Sequence, residues 1–215
     1  SYTIFFSGCT FSCQYCQNWD ISQNPEAGTT MSPAQICTSM ENMREKGVRN
    51  VNWVGGDPTP NLHTVLDSLR KCDINIPSVW NSNMYLTEEG MKLLSGTQDV
   101  YLTDFKYGND KCAQKYSNAS DYWKVTTRNH KIAFRDAEII IRHLVLPNHL
   151  KCCTEKIMKW IEDKLAPDVR FNLMGQYRPA GRADKYSEIS RRISGEEMNK
   201  AMKMAEEIGL NNVIR

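Results

Sequence analysis

The 215-residue chain has no excess of charge of either sign: lysine plus arginine number 27 and aspartate plus glutamate 25, leaving a net +2. A balance that close excludes nucleic-acid binding by bulk positive charge, and it excludes an acidic solvating tail. No apolar run approaches the roughly 18 residues of a membrane span. The opening residues, SYTIFFSGC, carry neither a basic segment nor a small-residue cleavage site. They do not read as a secretory leader, and the cytoplasm is the expected compartment. Low-complexity segments are missing too, as is any internal repeat beyond an alternation of strand and helix patterns. What remains is ordinary for a globular protein: 40% hydrophobic and 24% charged residues, in a chain long enough to bury a sizeable core.

The eight cysteines are Cys9, Cys13, Cys16, Cys37, Cys72, Cys112, Cys152 and Cys153. An even count permits disulfides, but scaffolds that depend on them are small and secreted. Three cysteines cluster within eight positions and the rest are scattered, a distribution that points to metal ligation in a reducing compartment.

Six short apolar runs alternate with helical patterns. The strands are expected at Tyr2–Phe6, Val51–Val54, Pro77–Trp80, Val100–Phe105, Ile139–Leu146 and Arg170–Met174. The run from Ile139 is continuous enough to suggest burial on both faces. Helices are expected from Pro33, with Ser32 and Gln35 as a capping box, from Pro60, near Thr87–Leu94, from Thr154 to Leu165, and after Ser194 with Glu197 completing a second box. The stretch from Phe105 to Arg135 reads as mostly helical. Alternation of this kind implies a parallel sheet covered by helices in one α/β domain spanning 1–215. Six units fit a doubly wound sheet or an incomplete barrel. The chain starts eight residues before Cys9, so either the fold begins at its first strand or an N-terminal extension is missing.

Cys9-Thr-Phe-Ser-Cys13-Gln-Tyr-Cys16 is a C-x₃-C-x₂-C cluster just after the first strand. Three thiolates on one loop can hold three irons of a [4Fe–4S] cube, leaving the fourth iron for another ligand. A structural zinc site is the alternative, but it needs a fourth protein ligand, and the nearest histidine is the distant His63. Gly55-Gly56-Asp57 ends the second strand, where glycines allow close backbone approach and a carboxylate can accept from an ammonium. Asp104 and Lys106, two apart, point to the same side of the fourth strand. Arg142 interrupts an apolar strand and must find an anion, either a ligand or an internal ion pair. Its neighbour His143 faces the other way and reads as structural. The basic stretch Arg178–Arg192 is either a solvated loop or a dock for an acidic partner.

Taken in order, Cys16-Gln17-Asn18, Gly55-Gly56-Asp57-Pro58, Asn81-Ser82-Asn83, Asp104-Phe105-Lys106 and Arg142 fall near the ends of successive strands. With the cysteine motif and its Tyr15, this series resembles the radical S-adenosylmethionine (SAM) superfamily, and within it the pyruvate formate-lyase activating enzymes and their PflX-type relatives. The resemblance covers essentially the whole chain. It implies a partial (β/α)₆ TIM-like barrel, a [4Fe–4S] cluster on Cys9, Cys13 and Cys16, and SAM chelating the open iron. By the same resemblance Tyr15 lines the adenine pocket, and Gly55, Gly56 and Asp57 meet the methionine amino group. Asp104, Lys106 and Arg142 reach the SAM ribose and carboxylate, with Asp104 helping to hold a monovalent cation. Asn81 and Ser82 border the same site, with Asn81 where the family often carries an aspartate. Gln176 and Tyr177 replace a histidine-bearing segment. The implied partners are a flavodoxin or ferredoxin as electron donor and a glycyl radical enzyme as substrate. Radical modification of a small molecule or peptide is the alternative, and a metal-stabilised binding protein without turnover is the alternative of another class.

Overall fold

The computed structural model describes residues 1–215. Seven parallel strands run in chain order: β1 Tyr2–Phe6, β2 Val51–Gly55, β3 Ser78–Ser82, β4 Val100–Asp104, β5 Glu138–Leu144, β6 Arg170–Met174 and β7 Val213–Ile214. Between them lie α1 Trp19–Ser22 and α2 Pro33–Glu45 after β1, α3 Leu62–Lys71 after β2, and α4 Glu88–Leu94 after β3. Helices α5 Asp110–Ser117 and α6 Tyr122–Asp136 follow β4, α7 Glu155–Lys164 follows β5, and α8 Gly195–Ile208 precedes β7. Each strand pairs with the next in sequence and the two edges do not meet. Sequential parallel order with helices outside is a barrel left open between β1 and β7, the partial barrel expected, with one strand more than the six that the apolar runs suggested. β7 is two residues long, too short to leave a pattern.

Local signals behave as their chemistry dictates. Ser32 and Ser194 both close capping boxes, with Gln35 and Glu197 reaching back to the cap N–H. Asn109 caps α5 by accepting from the Cys112 N–H at 2.8 Å. Ahead of α7 the chain takes one π-helical turn, Leu150–Thr154, where the sequence suggested a plain helix start.

Trp53, Trp80, Tyr101, Ile141 and Phe171 are fully buried between sheet and helices. β5 departs from its expected burial on both faces. Ile139, Ile141 and His143 face the helices and are buried, whereas Ile140, Arg142 and Leu144 are only half-buried. The open barrel leaves the inner face of the strand lining a cavity. His143 is held structurally, as read, between the Phe105 carbonyl at 2.7 Å and Thr154 Oγ1 at 2.9 Å.

One cysteine pair corrects the reading of scattered thiols. Cys37 on α2 and Cys72 after α3 are joined as a disulfide, their Cα atoms 5.3 Å apart. Thirty-five residues separate them in sequence, and only the packing of α2 on α3 brings them together.

Candidate functional site

A cavity of about 320 Å³ opens at the C-terminal ends of the strands, where barrels place their chemistry. Cys9, Cys13 and Cys16 line it, from the loop after β1. Facing them are Gly55, Gly56 and Asp57 from β2, Asn81 and Ser82 from β3, Asp104 and Lys106 from β4, Arg142 from β5, and Gln176 after β6. Tyr15 lines it as well. Of the residues singled out in the sequence, only Tyr177 is absent from the wall. Its ring backs Tyr15 edge-on at 5.7 Å and its hydroxyl donates to the Ile189 carbonyl. It supports the cavity from behind.

Strand register sets the charges. Asp104 and Arg142 are direct partners across β4 and β5, so their side chains share the inner face. Arg142 Nη2 donates to Asp104 Oδ1 at 2.8 Å and to Asn81 Oδ1 at 2.6 Å, and Lys106 Nζ donates to Asp104 Oδ2 at 2.8 Å. Burial alone would raise the Asp104 pKa, but the two cations outweigh it and hold the carboxyl down to about 2. Burial would likewise depress Lys106; the adjacent carboxylate overrides it and pushes its pKa up. Of the Asp104 oxygens expected to help hold a monovalent cation, Oδ1 thus accepts from the guanidinium and Oδ2 from the Lys106 ammonium. Two cations surround one anion, leaving the triad a net positive charge. Arg142 Nε is buried without any hydrogen-bond partner.

Asp57 is 3% exposed, and its carboxylate accepts from Thr59 N at 2.9 Å, Asn83 N at 2.8 Å and Ser82 Oγ at 3.1 Å. Its principal work in this structure is to fasten the end of β3 to the end of β2. Burial raises its pKa despite those bonds. The glycines also pack against backbone. A Cβ on Gly55 would lie 2.0 Å from the Phe6 carbonyl oxygen, and one on Gly56 would lie 2.1 Å from the Gly8 oxygen. They permit close approach of β1 and the cysteine loop while lining the cavity.

Each motif sulfur has a polar neighbour. The Phe11 N–H and Asn83 Nδ2 point at Cys9 Sγ at 3.4 and 3.7 Å, Ser117 Oγ donates to Cys13 Sγ at 2.9 Å, and Ser22 Oγ lies 3.3 Å from Cys16 Sγ. Ser117 continues a chain of hydroxyls, through Tyr107 at 2.6 Å to Tyr15 at 2.7 Å. Sequence reasoning missed Ser117 and Tyr107, which lie about a hundred positions from the cysteines and carry no motif. Burial pushes the Cys9 thiol up to about 12, with the Asp57 charge adding to it, and burial raises Cys13. Thiols raised in this way lose their protons readily only to a metal ion.

An open parallel barrel with a C-x₃-C-x₂-C loop over its cavity defines an iron–sulfur radical enzyme architecture. The chain belongs to the radical SAM superfamily, whose model matches residues 3–161. The superfamily works with a [4Fe–4S] cluster and SAM. Among relatives, the uncharacterised protein MJ0674 of Methanocaldococcus jannaschii is 49% identical over 217 residues, covering 98% of this chain and 63% of that one. This chain thus spans under two thirds of that relative's length. Among solved structures, Streptococcus suis SuiB bound to the precursor peptide SuiA superposes with a TM-score of 0.65 at 14% identity, over 99% of this chain and 47% of SuiB. A domain of pyruvate-formate lyase-activating enzyme from Bacteroides vulgatus gives 0.60 at 14%, over 78% of this chain and all of that domain. Likeness at such identities establishes the fold.

The residues present fit the cofactors. Three unpaired thiols line one cavity, and donors approach two of the sulfurs closely enough to stabilise thiolates. Beside them stands a net-positive triad with an orphaned guanidinium N–H, suited to an anionic ligand group.

Proposed function

We infer that this chain holds a [4Fe–4S] cluster on Cys9, Cys13 and Cys16 and binds SAM in the adjoining cavity for radical hydrogen abstraction, in the manner of glycyl radical enzyme activases. The observation that carries this is the meeting of the three cysteines and the Asp104–Lys106–Arg142 triad around one cavity. A [4Fe–4S] cluster held by these three cysteines would supply one-electron reducing chemistry to SAM bound beside it.

The chain's own residues do the rest. Arg142 and Lys106 bind the SAM carboxylate or ribose, with Asp104 holding both cations in place. Asn81 orients the guanidinium through its amide oxygen. Asp57 and Ser82 lock the β2 and β3 ends that carry the amino-group side of the site. Tyr15 walls the adenine side, held by Tyr107 and Tyr177. Gln176 is exposed at the mouth and is placed to meet substrate.

The electron donor is an acidic flavodoxin or ferredoxin. Arg178, Arg182, Lys185 and Arg192 are exposed. Arg182 also lies over the Trp19 ring at 5.0 Å, and its N–H binds the Gln14 carbonyl at 2.6 Å. The basic segment therefore touches the cysteine loop. The substrate is a glycine in a partner enzyme, a reading supported by the ordered motif series from Cys16 to Arg142. Peptide modification is the second reading, favoured by the near-complete superposition on peptide-bound SuiB.

The deciding experiment is anaerobic incubation of reduced, reconstituted protein with SAM and candidate glycyl radical enzymes, read by electron paramagnetic resonance. A glycine-centred doublet is the expected result. If 5′-deoxyadenosine accumulates in step with a modified peptide or small molecule and no doublet forms, the activase reading fails and the superfamily assignment stands.

A further inference from the structure

Four of the cysteines outside the motif resolve into a disulfide and a pair of neighbours, and that pair does not stand alone. Cys112, in the first turn of α5, comes together with His149 and with Cys152 of the π-helical turn, their ligand atoms all within 4.8 Å of one another. Cys153 Sγ lies 4.0 Å from Cys152 Sγ, and Asn109 Nδ2 points at both Cys112 Sγ and Cys153 Sγ, at 3.4 and 3.8 Å. The three ligand atoms of Cys112, His149 and Cys152 converge from two segments about forty residues apart in the chain, and the Cys153 sulfur stands beside Cys152, outside that mutual set. We propose that Cys112, His149, Cys152 and Cys153 form a second metal centre, a mononuclear Cys₃His site for Zn²⁺ or an ion of similar preference.

The spacing favours a single ion. Ligands about 2.3 Å from a tetrahedral zinc stand roughly 3.7 Å from each other, which the three ligand atoms, all within 4.8 Å of one another, reach by closing in by about 1 Å at most. The thiolates of a [4Fe–4S] cube bind different irons and stand further apart.

The histidine is oriented for the task. Nδ1 meets the Pro147 carbonyl at 2.7 Å, an acceptor only, so in the neutral ring Nδ1 carries the hydrogen. Nε2 then presents a lone pair. Its neighbour is the Tyr116 hydroxyl at 3.1 Å, whose own hydrogen goes to Glu188 Oε1 at 2.6 Å. A carbonyl on the far nitrogen is the usual way proteins fix a metal-binding tautomer.

The surroundings are built to match. A Cβ on Gly108 would come within 2.7 Å of the Cys153 carbonyl oxygen and 2.8 Å of that of Cys152, so the loop after β4 lies directly on the π turn. Asn109 accepts from the Cys112 N–H and donates to the Cys152 carbonyl at 2.8 Å, tying both ligand segments with one side chain. Irregular helical turns of this kind recur at functional sites.

The centre would act on the radical site by positioning. At the other end of α5, the carbonyls of Tyr116 and Ser117 accept from the N–H groups of Gln14 and Ser12, and Ser117 Oγ reaches Cys13. An ion gripping the first turn of α5 fixes the helix from which the cysteine loop hangs. Binding converts three thiols to thiolates and releases their protons to solvent.

The test separates the two centres. A chain carrying Cys9→Ala, Cys13→Ala and Cys16→Ala, expressed with added zinc and dialysed, is analysed by elemental mass spectrometry. One zinc ion per chain is expected, falling to none when Cys112→Ser and Cys152→Ser are added. Because the added substitutions could unfold the chain, Co²⁺ is also titrated into the zinc-stripped triple variant. Intense tetrahedral d–d bands with thiolate charge transfer are expected, together with a lower melting temperature for the metal-free form. Stoichiometric uptake lost in the five-fold variant, with the tetrahedral spectrum, supports the site. Absence of zinc and of a tetrahedral cobalt spectrum in the triple variant, or acid-labile sulfide assembled on it, overturns the proposal. Neither outcome touches the reading of the first site.

Discussion

Replacing Arg142 with methionine separates a ligand-binding guanidinium from a merely internal one. Methionine keeps the unbranched apolar stem and removes the guanidinium. At 2.8 Å the Arg142–Asp104 attraction is about 6 kcal/mol gross at an effective dielectric near 20. Desolvation of two side chains that are 22% exposed cancels most of that, and Lys106 still pairs with Asp104 in the variant. The net loss of stability should be about 1–3 kcal/mol. The acid limb of the stability curve changes in a defined direction. In the parent chain Asp104 titrates at about 2 against 3.8, so its contribution of about 2 kcal/mol is complete above pH 4 and lost as the pH falls from 4 to 2. With one cation gone the folded pKa moves back toward 3.8, and urea unfolding curves between pH 4 and 2 should flatten.

If Arg142 also holds the anionic end or the ribose of SAM, affinity falls by about 2–5 kcal/mol, or roughly 30-fold to several thousand-fold. Isothermal titration of SAM into anaerobically reconstituted protein measures this directly. Unchanged SAM affinity beside the stability loss would show that the guanidinium only balances Asp104, and would refute its assignment to the ligand. Lys106→Met gives an independent arm, because its ammonium contacts the other oxygen of the same carboxylate.

Three further outcomes follow from the geometry. Ser117→Ala removes the hydroxyl 2.9 Å from Cys13 Sγ, and the cluster's midpoint potential, followed by an EPR-monitored redox titration, should shift negative while iron content stays near that of the parent; an unchanged potential would deny the hydrogen bond any influence on the cluster. His130 and His143 are buried neutral rings whose pKa values burial depresses from 6.5 to about 4, so each contributes about 3 kcal/mol that is complete above pH 6.5 and lost between pH 6.5 and 4. Stability by urea titration should fall across that window, and a flat profile would contradict the burial argument. Gly56→Ala drives a methyl to within 2.1 Å of the Gly8 oxygen and should cost about 3 kcal/mol or more, whereas Gly195→Ala, with nothing within 4 Å, should be neutral or mildly stabilising; similar melting temperatures for the two would refute the packing claim.

The barrel was legible because its signals are local. Alternating apolar runs, two serine capping boxes and a proline at the start of α2 each act within a few residues. Where tertiary context decides, the sequence misleads. The Ile139 run reads as buried on both faces since a parallel strand in a closed layer would be; the open barrel turns one face into a cavity wall. β7 exists through its pairing with β6 at Phe171 and Asn172, and two residues cannot announce that.

The site divides along the same line. Cys9, Cys13 and Cys16 announce themselves because a cluster needs three thiolates on one short loop. Two of the groups that condition them cannot do so, since they arrive from distant elements: Asn83 after β3, Ser117 at the end of α5. The same holds with greater force for Cys112, His149, Cys152 and Cys153, which resemble scattered thiols until α5 and the π turn are folded against Gly108. A ligand set divided between two segments leaves no spacing motif, because the fold supplies the spacing. The converse explains Gly55 and Gly56. Their pattern is plainly visible, but nothing in it says that the backbone they admit includes β1 at Phe6 and the cysteine loop at Gly8. Residue chemistry specifies what a position can tolerate or ligate, and only strand order and register determine what is brought within its reach.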